Sequence, residues 1–325
     1  MPHLISARRV FCAVFLLFVC TLDTSPALAR ERLAPQERQC MRKGWEPARL
    51  EAAGLTREIL WKAPRGAWTK GAILILHGGG GAHFQWCVAN SQLVASQVRF
   101  AEMAVDAGFA VYLLNSSDQV TDNEGRICGK LWDDEVRSRP NLDLPFIEKI
   151  IREIIPQQRP PRSRPDIFLT GLSSGGFMTT RAATHFDTLI TAFAPVSSGD
   201  PYGWHRICEK GTTERSTVHG KGFDNETGKQ IVEPFACRAA SYPNEKPWDG
   251  TNTKQKPVFR VFGHLEDGIA DHSCREKLVR LLREHGYRGD QFVLRGGQRS
   301  LENHLWQDEY NRPVLDFFTA ASVRR

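Results

Sequence analysis

The stretch DIFLTGLSSGGFMTT, residues 166–180, runs from an apolar segment into Gly171-Leu172-Ser173-Ser174-Gly175 and out into a helix-compatible one. A serine centred in G-x-S-x-G at a strand-to-helix turn is a candidate nucleophile. On such a bend the backbone is strained, and the residues two before and two after the serine press against neighbouring main chain. Only small side chains fit there, which accounts for Gly171 and Gly175. The helix that follows directs its free N–H groups back towards Ser173, so the amide of Ser174 is placed to bind an oxyanion. A glycine-rich phosphate turn is the competing reading. It fails because no Gly-Lys-Ser/Thr follows and no G-x-G-x-x-G register is present.

A tetrahedral intermediate needs a second N–H donor. The segment AILILHGGGGAHFQW, residues 72–86, offers one, with a buried strand leading into four glycines. Gly79 or Gly80 can bring its amide to a substrate carbonyl without side-chain obstruction, while His77 reads as a brace for the loop. A serine hydroxyl also needs a general base, and in this architecture the chain order is serine, acid, histidine. His304 follows the last core strand, in a loop ending NHLW. The acid belongs in VFRVFGHLEDGIADHS, residues 258–273, where Asp267 is preferred, Glu266 is the alternative and Asp271 stands further off. It would fix the imidazole tautomer and stabilise its cation.

These groups need a scaffold. β-Branched and apolar runs occur at residues 72–76, 109–114, 167–170, 189–194, 258–262 and 291–294, with an earlier edge strand at 58–62. Helix-period segments lie between several of them, at 92–107, 144–155, 175–186 and 273–285, with 313–320 closing the chain. Alternating strands and helices predict an α/β fold with a mostly parallel sheet covered on both faces. Chemistry in such sheets gathers at the carboxyl ends of the strands. The polar segment 198–256 breaks the rhythm and reads as a lid-like insertion over that edge. Within it, Tyr202, Trp204 and Trp248 are candidate substrate contacts, as is Trp306 beyond His304. They would stack on rings or grip an aliphatic chain, and the insertion's own small core is the competing role for its aromatics.

The first 29 residues read as a secretory signal peptide: Arg8 and Arg9, an apolar run from Val10 to Cys20, and Ala27-Leu28-Ala29 as a cleavage pattern. Cleavage after Ala29 predicts a secreted or periplasmic protein with no membrane association, whose candidate catalytic domain spans 30–325. Six cysteines then remain: Cys40, Cys87, Cys128, Cys208, Cys237 and Cys274. In an oxidising compartment they suggest up to three disulfides, and no C-x-x-C points to zinc or redox work. The net charge is +6, or +5 once Arg8, Arg9 and Asp23 leave with the leader. These basic residues are scattered, so a nucleic-acid partner is not expected.

GLSSGGFMT, NLDLPFIEKII, FGHLEDGIADHSCREKLVRLL and GGQRSLENHLW together resemble the α/β-hydrolase fold. More narrowly they resemble the secreted esterases that include polyhydroxybutyrate depolymerases and feruloyl or acetylxylan esterases. The similarity runs from Ile73 to Trp306. It sets Asp267 against the family's aspartate and His304 against its histidine. Two departures stand out: Gly263-His264 where the family usually reads His-Gly, and extra residues between Gly297 and His304. The resemblance implies ester hydrolysis through an acyl-enzyme on a small or polymeric ester substrate, with no metal or organic cofactor. A hydroxyalkanoate polyester or its oligomers lead, feruloyl or acetylxylan esters come second, and a non-catalytic binding module is the reading of another class.

Overall fold

The computed structural model describes residues 33–121, 127–134, 139–201, 221–223, 230–233 and 256–323, apart from the side chains of Cys128 and of 221–233. Contacts separate residues 1–34 from a unit spanning Pro35–Arg325, and the sheet and its helices belong to that second unit.

Eight strands build the main sheet: β1 (Glu46–Ala52), β2 (Leu55–Lys62), β3 (Gly71–Leu76), β4 (Phe109–Leu114), β5 (Ile167–Leu172), β6 (Ala192–Val196), β7 (Val258–His264) and β8 (Gly289–Leu294). Their spatial order is β1-β2-β4-β3-β5-β6-β7-β8. Every pairing from β4 to β8 is parallel, and only β2 runs against its neighbours. The four central strands read GAILIL, FAVYLL, IFLTGL and AFAPV and are buried at every position. Continuous apolar runs are what a strand needs when both faces are covered.

The two faces belong to separate cores. Ala72, Leu74 and Leu76 of β3 point into one, with Met178 and Ala182 of α4 (Ser174–His185) and Leu278 and Leu282 of α5 (His272–Glu284). Ile73 and Ile75 point into the other. There they meet Phe100 and Ala104 of α2 (Ala95–Asp106) and Val314 and Phe318 of α6 (Asp308–Val323). The alternation is the two-residue period of a strand. Helix α3 (Leu144–Lys149) continues through a π-helical turn at Ile150–Ile154.

Helix α1 (Pro35–Arg42) and strand β1 were not anticipated. EPARLEA is a composition that suits a helix, and its pairing with β2 draws it into the sheet. Helix α6 begins five residues before Pro313, with Asp308 and Glu309 in its first turn suiting the helix dipole. No helix among the described residues is long and apolar enough to cross a membrane.

Cys40 of α1 is bonded to Cys87, across a sequence separation of 47 residues, and Cys274 is disulfide-bonded as well. Closing a loop of that length stabilises the fold by roughly 4 kcal/mol through the unfolded state. The double variant Cys40→Ser/Cys87→Ser should therefore unfold at lower denaturant with a loss of about 2–4 kcal/mol. An unchanged midpoint would show that the bridge contributes nothing to stability.

Candidate active site

Four sheet strands deliver the candidate groups to one rim. β3 ends in the His77 glycine loop, β5 in Ser173, β7 in the acid loop and β8 leads towards His304. β3 and β5 adjoin where the strand order changes direction, the position at which open α/β sheets place their ligands.

Ser173 sits between β5 and α4 with φ 54° and ψ −120°, backbone that a non-glycine residue adopts only under constraint. Its N–H is held by Val196 O at 2.9 Å, and its carbonyl accepts from Phe177 N–H at 2.9 Å. The flanking glycines are sterically required. An added Cβ at Gly171 would lie 2.5 Å from Gly175 O, and one at Gly175 would meet Leu76 O and, at 2.5 Å, His77 O. Elbow and glycine loop thus touch main chain to main chain.

Ser174 opens α4, so its N–H has no intrahelical acceptor. Gly79 donates to no backbone group among the described residues, whereas Gly80 N–H is taken by Lys130 O at 2.7 Å. Of the two glycines named from sequence, Gly79 is therefore the one left with a donor for an oxyanion. Gly80 is corrected to a structural position that fastens the loop to the segment at 130. His77 is buried in the same place. Ser116 N–H donates to its Nε2 at 3.0 Å, which puts the proton on Nδ1 to donate to Gly78 O at 2.7 Å.

Asp267 and His304 are both buried, with Nδ1 of the imidazole 3.0 Å and 3.1 Å from the two carboxylate oxygens. Nε2 is thereby the nitrogen left for chemistry. The loops carrying them are zipped together: Asp267 and Ser300 form a parallel bridge, and Gly268 N–H donates to Ser300 O at 2.9 Å. Asn303 adds a bond to Glu266 O at 3.0 Å. Asp267 Oδ1 also accepts from the amides of Ile269 and Ala270. Burial pushes its carboxyl pKa up. The charge and hydrogen bond of His304, the charge of Arg275 and the Ala270 amide outweigh burial and hold it below the usual carboxylate value. Glu266 instead lies within 3.7 Å of Arg299, and Asp271 caps α5 by accepting from Ser273 N–H.

Ser173 and His304 border one cleft of about 790 Å³, together with Gly78–Gly81, Leu131, Leu172, Ser174, Leu301 and Leu305. No hydrogen bond joins the two side chains here; such bonds often tighten only when substrate is bound. Trp306, named from sequence as a substrate contact, is corrected to core. It packs on Trp86 and Phe100, its indole N–H donates to Asn311 Oδ1 at 2.7 Å, and it is 1% exposed. Tyr202, Trp204 and Trp248 lie outside the described residues.

Two residues at the site went unread in the sequence. Arg275 is fully buried, donates to Asp267 Oδ2 at 3.2 Å and to His264 O, and occupies the space where a Cβ on Gly263 would collide with its Cδ and Nε. That gives the Gly263-His264 order a steric reason. The available signal was Arg275's place on the buried stripe with Cys274, Leu278 and Leu282. Trp132 donates its indole N–H to His77 O at 2.7 Å and its backbone N–H to Ser174 Oγ at 3.1 Å. It bridges the two segments that carry the free amides, and no periodicity marked it.

No protein-family model and no curated protein matches the chain. Solved structures do. A lipase in its open form aligns with TM-score 0.55 and 13% identity over 86% of this chain and 99% of its own. A thermostable esterase aligns with TM-score 0.51 and 16% identity over 86% and 63%. The acylaminoacyl peptidase of Pyrococcus horikoshii aligns with TM-score 0.51 and 14% identity over 90% and 43%. The chain thus spans less than two thirds of that esterase and less than half of that peptidase. Strand order and these likenesses together establish an α/β-hydrolase fold.

Burial drives the His77 imidazole pKa down from 6.5 to about 3. Between those values the unfolded chain binds a proton that the folded chain refuses. The stability tied to neutral His77 is therefore complete above about pH 6.5 and is lost as pH falls towards 3, at about 1.4 kcal/mol per pH unit. Urea unfolding at about pH 7 and about pH 5 should show a loss in the native protein that is shallower in His77→Gln by roughly that slope. Equal slopes would remove His77 from its neutral bracing role.

Proposed function

We propose that this chain is a secreted serine hydrolase of carboxylic esters working through an acyl-enzyme. Ser173 is its nucleophile, His304 its general base and Asp267 the orienting acid. The observation that carries the reading is His304, paired with buried Asp267, sharing a cleft with a serine held at φ 54°. Ser173 Oγ attacks the ester carbonyl carbon while His304 Nε2 takes its proton. The resulting oxyanion is met by the N–H groups of Ser174 and Gly79, which are in place before charge develops. Collapse expels the alcohol, which takes its proton from His304. Water then attacks the acyl-enzyme by the same route, releasing the acid and restoring Ser173. Asp267, kept ionised, fixes Nδ1–H and stabilises the imidazolium.

Within that chemistry the substrate is a hydroxyalkanoate polyester or its oligomers, a choice supported by the sequence resemblance. Feruloyl and acetylxylan esters are the alternative that resemblance also carries. Export through the N-terminal signal is part of the proposal, and the Cys40–Cys87 bond fits an oxidising compartment.

Activity should be assayed on amorphous polyhydroxybutyrate, hydroxybutyrate oligomers, methyl ferulate and acetylated xylan. Hydroxybutyrate esters should be cleaved fastest, and Ser173→Ala should lower kcat at least about 10³-fold while unfolding at the same denaturant concentration. A folded Ser173→Ala protein with undiminished turnover would overturn the mechanism. Faster cleavage of the ferulate or the xylan would move the substrate to the plant-ester class. A wild-type protein that binds but cleaves none of the four would favour the binding-module reading.

A further inference from the structure

The cleft bordered by Ser173 and His304 is apolar along Leu131, Leu172, Leu301 and Leu305, yet among its described lining residues one buried side-chain oxygen is left without a partner. Gln97 lies in the first turn of α2, lines the cleft, and is 4% exposed. Its Oε1 is buried and makes no hydrogen bond with the protein. The other glutamine on the cleft wall, half-buried Gln85, has its oxygen in use: Oε1 accepts from Ala82 N–H at 3.2 Å.

An orphaned buried acceptor is destabilising, and a leucine or methionine at 97 would remove the penalty. The neighbourhood would welcome one, since Phe100, Ala101 and Ala104 on the same helix are all core. A polar group kept unpaired on the wall of a reaction cleft is therefore explained by something that pairs with it when the cleft is filled. The last torsion of a glutamine is broad, so a modest turn of the carboxamide brings Oε1 to face a ligand. A hydroxyl suits this position best. It donates to Oε1, and it would equally accept from the amide N–H if the carboxamide were turned over. An aliphatic or aromatic C–H surface would leave the orphan as it is.

We propose that Gln97 is a specificity-determining contact for a hydroxyl group carried by the ester substrate. The inference rests on the ester-hydrolase reading above and adds to it the substrate feature that the cleft selects. A site built to hydrogen-bond a hydroxyl rejects the analogue that lacks it far more strongly than an apolar pocket distinguishes shapes. The hydroxyl has two possible sources, the acyl half or the alcohol half of the ester, and the test separates them.

Rates are compared for methyl 3-hydroxybutyrate against methyl butyrate, and for 2-hydroxyethyl butyrate against ethyl butyrate, in the native protein and in Gln97→Met. The native protein should favour the hydroxylated member of one pair by roughly ten-fold or more in kcat/KM, and Gln97→Met should bring that ratio close to unity. The pair that responds identifies which half carries the hydroxyl. Each ratio is taken within one protein preparation, so a partly folded variant does not distort it; Gln97→Asn, which keeps the carboxamide on a shorter arm, should fall between the two. A native protein without preference in either pair, or a preference that survives in Gln97→Met, overturns the proposal while leaving ester hydrolysis intact. A native protein that cleaves none of the four esters defeats both.

Discussion

Main chain pressed against main chain is the constraint on which this site rests. The carbonyls of Leu76 and His77 lie where a side chain at 175 would have to be, and Gly175 O lies where one at 171 would have to be. That approach holds the end of β3 beside the start of α4 and sets the amides of Gly79 and Ser174 at one place. Buried polar contacts then lock it. His77 is neutral and spends both ring nitrogens on backbone groups, and Trp132 ties His77 O to Ser174 Oγ. Donors fixed in this way need not reorganise when charge appears on a substrate oxygen, which is where electrostatic catalysis gains most.

The opposite side of the cleft is organised around one negative charge. Asp267 is buried, and a buried carboxylate is tolerable only when it is paired and hydrogen-bonded. It receives two backbone amides, the His304 ring and the Arg275 guanidinium. Its position depends in turn on the bridge to Ser300 and on a glycine at 263 that leaves room for Arg275. Acid and histidine are thus placed as one assembled unit, although 37 residues separate them in the chain.

Much of this could be read in the sequence because the determining physics is local. Strands buried on both faces announce themselves as unbroken apolar runs, and Ser173 is marked by the glycines that its bend requires. What stayed hidden depends on tertiary partners. EPARLEA looks helical and becomes β1 only because β2 is there to pair with it. Gly79 and Gly80 are equivalent as letters, and only the position of Lys130 O shows which amide is spent. Trp306 sits two residues from His304 and suggested a substrate platform, yet the chain turns it into the Trp86 and Phe100 cluster. Arg275 carried no mark in the sequence beyond its place on an apolar stripe, and only the packed helix shows it buried against Asp267.

The site described here requires that Ser173, and no neighbouring hydroxyl, be activated at this rim. Treatment with a stoichiometric fluorophosphonate followed by peptide mapping tests it most directly. One phosphonyl group per chain is expected, on Ser173 rather than Ser174, and none on urea-unfolded protein. Modification at another residue, or a folded protein that stays unmodified, would contradict it.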